Sequence, residues 1–147
     1  MIRRLSVFPL LLCLAGSALA AEHAQAPLPR VAAPADARVY IISPADGAIT
    51  GQKVTVRFGL VGMGIAPAGV DKPNTGHHHL LIDAEELPPG DLPIPNDAHH
   101  LHFGGGQTET EITLEPGVHT LQLDLADANH MQFSTPLVSD KITIHVK

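Results

Sequence analysis

Residues 53–60 read KVTVRFGL. Val54, Val56, Phe58 and Leu60 fall on one side of an extended chain and Thr55 and Arg57 on the other. That period of two is the signature of a half-buried β-strand. The same alternation returns downstream. TETEITLE (108–115) sets Ile112 and Leu114 inward, HTLQLDLAD (119–127) sets Leu121, Leu123 and Leu125 against Gln122 and Asp124, and KITIHVK (141–147) sets Ile142, Ile144 and Val146 inward. Upstream, RVYIIS (38–43) is β-branched and aromatic and runs into the turn PADG. No segment carries a helical period of useful length. About seven short strands punctuated by Gly and Pro imply an all-β fold, an antiparallel immunoglobulin-like β-sandwich, over a single domain at 38–147.

The first twenty residues belong to a different pattern. MIRR is a basic start, LSVFPLLLCLAG is apolar and SALA offers small residues at a cleavage point, which is the layout of a secretory signal peptide cut near Ala20. The expected location is periplasmic or secreted. The apolar stretch is too short to span a bilayer and no other segment is longer, so no membrane span is expected. Cys13, the single cysteine, lies inside that stretch with no small residue before it, so it does not read as a lipid attachment site. A mature chain therefore has no cysteine and no disulfide framework, and must rest on its hydrophobic core. Residues 21–37, AEHAQAPLPRVAAPADA, show no periodicity and read as a flexible Ala/Pro-rich leader.

Loss of Arg3 and Arg4 takes the formal net charge from −6 to about −8, while all ten histidines remain. An acidic surface argues against nucleic acid and anionic lipid as partners. Acidity together with neutral imidazoles favours a cation.

Two long connections, VGMGIAPAGVDKPNTG (61–76) and AEELPPGDLPIPNDA (84–98), each deliver the chain to histidines. Loops of this length in a compact domain are usually functional or disordered. The first leads into GHHHLLID (76–83), where His77, His79, Leu81 and Asp83 share one strand face and His78, Leu80 and Ile82 the other. The second leads into HHLHF (99–103), where His100 and His102 share a face opposite His99, Leu101 and Phe103. Imidazoles at i and i+2 stand about 7 Å apart at Cα and can converge on one ion. If the strands are neighbours, His77, His79, His100 and His102 supply up to four nitrogens, a set that suits copper or zinc.

Secondary candidates are His78, His99, His119 and His130, with Met63 as a thioether suited to Cu(I) and Met131 beside His130. Asp83 and Asp97 could ligate or orient an imidazole. The bland alternative for any one histidine is a solvated or hydrogen-bonded side chain; His78 reads as a packed neighbour, His119 as a satisfied histidine at a strand start and His145 as surface. The glycines of HFGGGQTE lack the lysine and helix of a phosphate loop and read as a tight turn or bulge. A chain passing close to a metal site also has no room for Cβ.

Taken together, GMGIAPAG, TGHHHLLID, HLHFGGGQTE, PGVHTLQLDLAD and VSDKITIHVK closely resemble an uncharacterised family of small secreted bacterial domains of unknown function. The resemblance runs from about Val39 to the end and implies an envelope domain whose signature is its histidine strings. A weaker likeness links HLH (100–102) to copper–zinc superoxide dismutase, but the disulfide and bridging-histidine pattern of that enzyme are missing.

Three functions follow as expectations. The first is a periplasmic or secreted copper- or zinc-binding protein for buffering, delivery or resistance. The second is an envelope structural or interaction module with a protein partner and no tight metal. The third is a metal-dependent enzyme, ranked last because no clear nucleophile or general acid is present.

Overall fold

A computed structural model describes residues 29–147. The signal-peptide reading and residues 21–28 of the leader lie outside the described residues. Ten β-strands follow in order: β1 (Arg38–Ser43), β2 (Ile49–Thr50), β3 (Lys53–Val61), β4 (Gly64–Ile65), β5 (Thr75–Ile82), β6 (His100–His102), β7 (Glu109–Thr113), β8 (Gly117–Ala126), β9 (Gln132–Val138) and β10 (Ile142–Val146). Seven have five residues or more; β2, β4 and β6 are short additions at sheet margins. Among the described residues no helix is long and apolar enough to cross a membrane.

The strands form a β-sandwich. One sheet runs β1-β3-β7; the other runs β2-β10-β8-β5-β4, with β6 added to β5 and β9 to β8. Pairing is antiparallel except at β10/β2 and β4/β5. The alternating strands behave as their patterns require. Val54, Val56, Phe58, Ile112, Leu114, Leu121, Leu123, Ile144 and Val146 are buried in one core cluster between the sheets. Each such side chain contributes roughly 1.5–3 kcal/mol of burial. On the opposite face of β3, Lys53 and Arg57 meet Glu111 and Glu109 across the β3/β7 pair, in water.

Strand β5 departs from the half-buried pattern, because every residue from Gly76 to Ile82 is buried. The face bearing His78, Leu80 and Ile82 looks into the sandwich, where Leu80 and Ile82 join the core. The opposite face, bearing His77, His79 and Leu81, is covered from outside by connecting segments. The 83–99 connection returns over this side: Ile94 is buried, and its amide donates to the His130 carbonyl. A strand covered on both faces reads as a continuous buried run.

The described part of the leader is held against the domain. The Arg30 guanidinium donates to the carbonyls of Gln132 and Phe133, the Ser134 amide donates to the Val31 carbonyl, and Ala37 is buried. Residues 29–37 thus extend the domain along β9, in contrast to the flexible linker that their composition suggests.

Candidate metal centre

Register decides which histidines meet. Antiparallel pairing of β5 with β6 sets His79 opposite His102, Leu80 opposite Leu101 and Leu81 opposite His100. On the other flank of β5, His77 lies opposite Ala126 and His79 opposite Asp124. The outer face of the sheet therefore carries His77, His79 and His102 side by side. One ring nitrogen from each lies within 4.8 Å of the others, so the three could hold a metal ion.

A fourth ring lies beside the group. His130 sits in the β8–β9 connection, with its centroid 5.0 Å from that of His77, 4.8 Å from His102 and 6.1 Å from His79. The remaining separations are 4.9 Å for His77/His79, 5.0 Å for His77/His102 and 5.1 Å for His79/His102. Tetrahedral imidazoles bound at about 2.0–2.1 Å have ring centroids roughly 5 Å apart. Five of the six edges meet that spacing, and the His79/His130 edge is opened.

Hydrogen bonds fix the loop that carries His130. The buried Asp127 carboxylate accepts from the amides of Asn129 and Met131, and the His130 amide donates to the Asp127 carbonyl. These bonds hold His130 at φ 64°, a left-handed conformation uncommon for a residue with Cβ. Across the site the glycine run makes its turn: the Gly106 amide returns to the Phe103 carbonyl, with Gly106 at φ 83°. A Cβ on Gly104 would lie 2.3–2.4 Å from the His102 ring, so the absence of a side chain there makes room for that imidazole.

The chemistry of the group is that of ligands without partners. Both ring nitrogens of His77 and His79, and Nε2 of His102, are buried with no hydrogen-bond partner in the protein. Burial lowers the pKa of His77 from 6.5 to about 4, helped by the nearby His130, His102 and His78. Burial likewise lowers His79 to about 3, with His77, His102, His130 and His100 adding to the effect. His102 is shifted down by burial and then by His130. These rings are neutral at pH 7, the state in which imidazole ligates a metal.

The other candidates are placed elsewhere. His100 shares the strand face of His102 but turns aside: its Nδ1–H donates to Asp97 Oδ1 at 2.8 Å. It is not one of the converging rings, and His130 stands in the fourth place expected for it. His99 donates from Nδ1 to the Ile82 carbonyl. His78 packs its ring on Phe58 inside the sandwich, centroids 5.1 Å apart, and burial lowers its pKa to about 4. His119 donates from Nδ1 to Asp83 Oδ2 and from Nε2 to the Glu115 carbonyl. Both partners are acceptors, which favours the protonated ring, and the bond to Asp83 raises its pKa. Asp83 and Asp97 thus orient His119 and His100, away from the cluster. Met63 precedes β4, whose Gly64 pairs with Thr75, and so lies beyond the strand positions that carry the cluster.

One residue of the site escapes the sequence reading. Asp124 alternates with leucines and reads as solvent-facing, yet it is fully buried beside His79. Its Oδ2 accepts from Gln132 Nε2, its Oδ1 has no partner, and burial raises its pKa to about 6. Its burial beside Gln132 of β9 distinguishes it from a surface aspartate, and alternation carries no signal of that burial.

Comparison with known proteins gives a family and no function. The chain belongs to the family described as Domain of unknown function (DUF4399), whose pattern matches residues 56–147 and so includes every histidine from His77 onward. No curated protein and no solved structure matches it.

Proposed function

We propose that this is a periplasmic or secreted metal-binding protein that takes copper or zinc through His77, His79 and His102, with His130 as the fourth ligand. The observation that carries the reading is the convergence of three imidazoles with buried, unpartnered nitrogens, and the ring of His130 beside them. Leaving a buried polar atom unsatisfied costs about 1–3 kcal/mol. A group of such atoms at ligand spacing is best accounted for by an ion that satisfies them together. Imidazole donors suit both zinc and copper. The half-buried His102 and His130 form the outward side of the cluster, above the buried His77 and His79. That arrangement lets an ion enter and leave, as buffering or delivery requires.

The test is direct metal uptake by purified, metal-free protein. One equivalent of Zn²⁺ or Cu²⁺ is expected, with affinity at least 100-fold weaker in His79→Ala, His102→Ala and their double variant. Uptake unchanged in the double variant would remove these residues as ligands.

A second reading, an interaction module of the envelope, is favoured by one feature. A cleft of about 740 Å³ opens between β1 and β9, bordered by the exposed Tyr40 and Val61. Capture of the same envelope protein with and without chelator would favour this reading over the first.

A further inference from the structure

Asp124 stands on the face of β8 that continues the face of β5 carrying His77 and His79, directly opposite His79. It is fully buried, and no salt bridge reaches it among the described residues; the charge of Arg30 acts on it only from beyond ion-pair distance and does not offset burial. Gln132, itself buried, donates to one carboxylate oxygen, and the other has no partner. A carboxylate in this setting needs a positive charge nearby to be kept. The cluster beside it has the opposite deficit. Imidazole ligands supply no negative charge, so a bound M²⁺ keeps both of its charges in a poorly screened interior. Each of these deficits is the remedy for the other.

We propose that Asp124 balances the charge of the ion held by the histidine cluster, and that the site is thereby set for a divalent cation rather than for Cu⁺. This inference rests on the metal-binding reading above. Asp124 acts through the cluster, as a residue behind the ligands. Its negative charge next to His79 strengthens the hold on an ion of charge two more than on an ion of charge one. The donor set points the same way, since every converging donor is an imidazole and Cu⁺ favours thiolate and thioether. Gln132 fixes the carboxylate by holding Oδ2, which leaves Oδ1 for the cluster side or for an imidazole N–H once the ion is bound.

The experiment compares metal-free wild type, Asp124→Asn and Asp124→Glu, with Zn²⁺ and Cu⁺ affinities measured by competition against chromophoric chelators. Asp124→Asn keeps the shape and an acceptor for Gln132. Its Zn²⁺ affinity is expected to fall 10- to 100-fold, the range for losing a group behind a metal ligand. Its Cu⁺ affinity is expected to fall only about 3- to 10-fold, since half the charge gives half the interaction energy, and its metal-free melting temperature to hold or rise. Asp124→Glu keeps the charge and is expected to bind Zn²⁺ more tightly than Asp124→Asn. Equal Zn²⁺ affinity in wild type and Asp124→Asn overturns the proposal. So does an equal loss for both ions with a lowered metal-free melting temperature, which is the mark of a purely structural residue. Should Asp124→Asn fail to fold, a Zn²⁺ affinity in Asp124→Glu as weak as that of His79→Ala overturns it. Absence of metal uptake by wild type would strike the metal-binding reading itself, and the wild-type measurement reports that separately.

Discussion

His79 and His102 are direct cross-strand neighbours, with ring centroids 5.1 Å apart and planes inclined by 28°. The pairing is fixed from both sides. Leu80 packs in the sandwich core beneath it, and Gly104 leaves the space into which the His102 ring turns. Gly104→Ala is therefore expected to push His102 out of the cluster while leaving the four rings chemically intact. Metal affinity should fall at least 10-fold, with a stability change of about 1 kcal/mol or less, since the ring tip can swing toward solvent. Isothermal titration with Zn²⁺ beside a thermal melt of the metal-free protein checks both. Unchanged affinity would show that His102 reaches the ion without that space.

His100 gives the contrasting case. It lies two residues from His102 on the same strand face, but Asp97 holds its Nδ1. His100→Ala is expected to retain metal uptake within about threefold, whereas His130→Ala is expected to lose 10-fold or more. Both belong in one titration series. The reverse order would place His100 in the ligand set and remove His130.

The sandwich was legible because β3, β7 and β10 each keep one face toward the core and one toward water, and alternation reports that state. The same rule placed His77 and His79 together and set His78 apart with Leu80 and Ile82. It was silent where both faces are covered. Asp124 and Gln122 follow the same polar parity in β8, yet Asp124 is fully buried, with Gln132 of β9 against its carboxylate. The position of His130 was equally hidden. It depends on a left-handed turn held by Asp127 and on the Ile94 amide, a contact 36 residues away in sequence. Local pattern carries the faces of strands, and long-range closure decides which loop residue completes a site.

His78 is the histidine that the core tolerates at a cost. Both its ring nitrogens are buried without a partner, and its neighbour is Phe58. His78→Leu fills a similar volume with no polar atom to desolvate, so it is expected to stabilise the metal-free protein by about 1–2 kcal/mol. Metal uptake should be unchanged. Chemical denaturation with a parallel Zn²⁺ titration measures the two, and loss of metal binding would mean that His78 supports the cluster from behind.

Acid should unfold the metal-free protein through its buried histidines. In the unfolded chain His77, His78 and His79 take up protons near pH 6.5; in the folded chain they do so only at about 4, about 4 and about 3. Between those limits the unfolded state holds more protons, so stability falls as pH drops below 6.5 and the loss is complete near pH 3. Above pH 6.5 the three contribute no pH dependence. Asp124 has the opposite sign: its pKa rises on folding from 3.8 to about 6, so it costs stability as pH rises through that window. One such group partly offsets three. Shifts of this size are worth roughly 3–5 kcal/mol per histidine, a large share of the 5–15 kcal/mol typical of a whole domain. Metal binds only the neutral imidazoles, and at 100 times its dissociation constant adds about 2.7 kcal/mol to the folded state. The midpoint of acid unfolding, followed by far-ultraviolet circular dichroism, is therefore expected between pH 4 and 6 for metal-free protein. It should move lower with excess Zn²⁺ and lower again for metal-free His78→Leu than for wild type. Stability that stays flat from pH 7 to 4 would mean that these rings take up protons without leaving the fold.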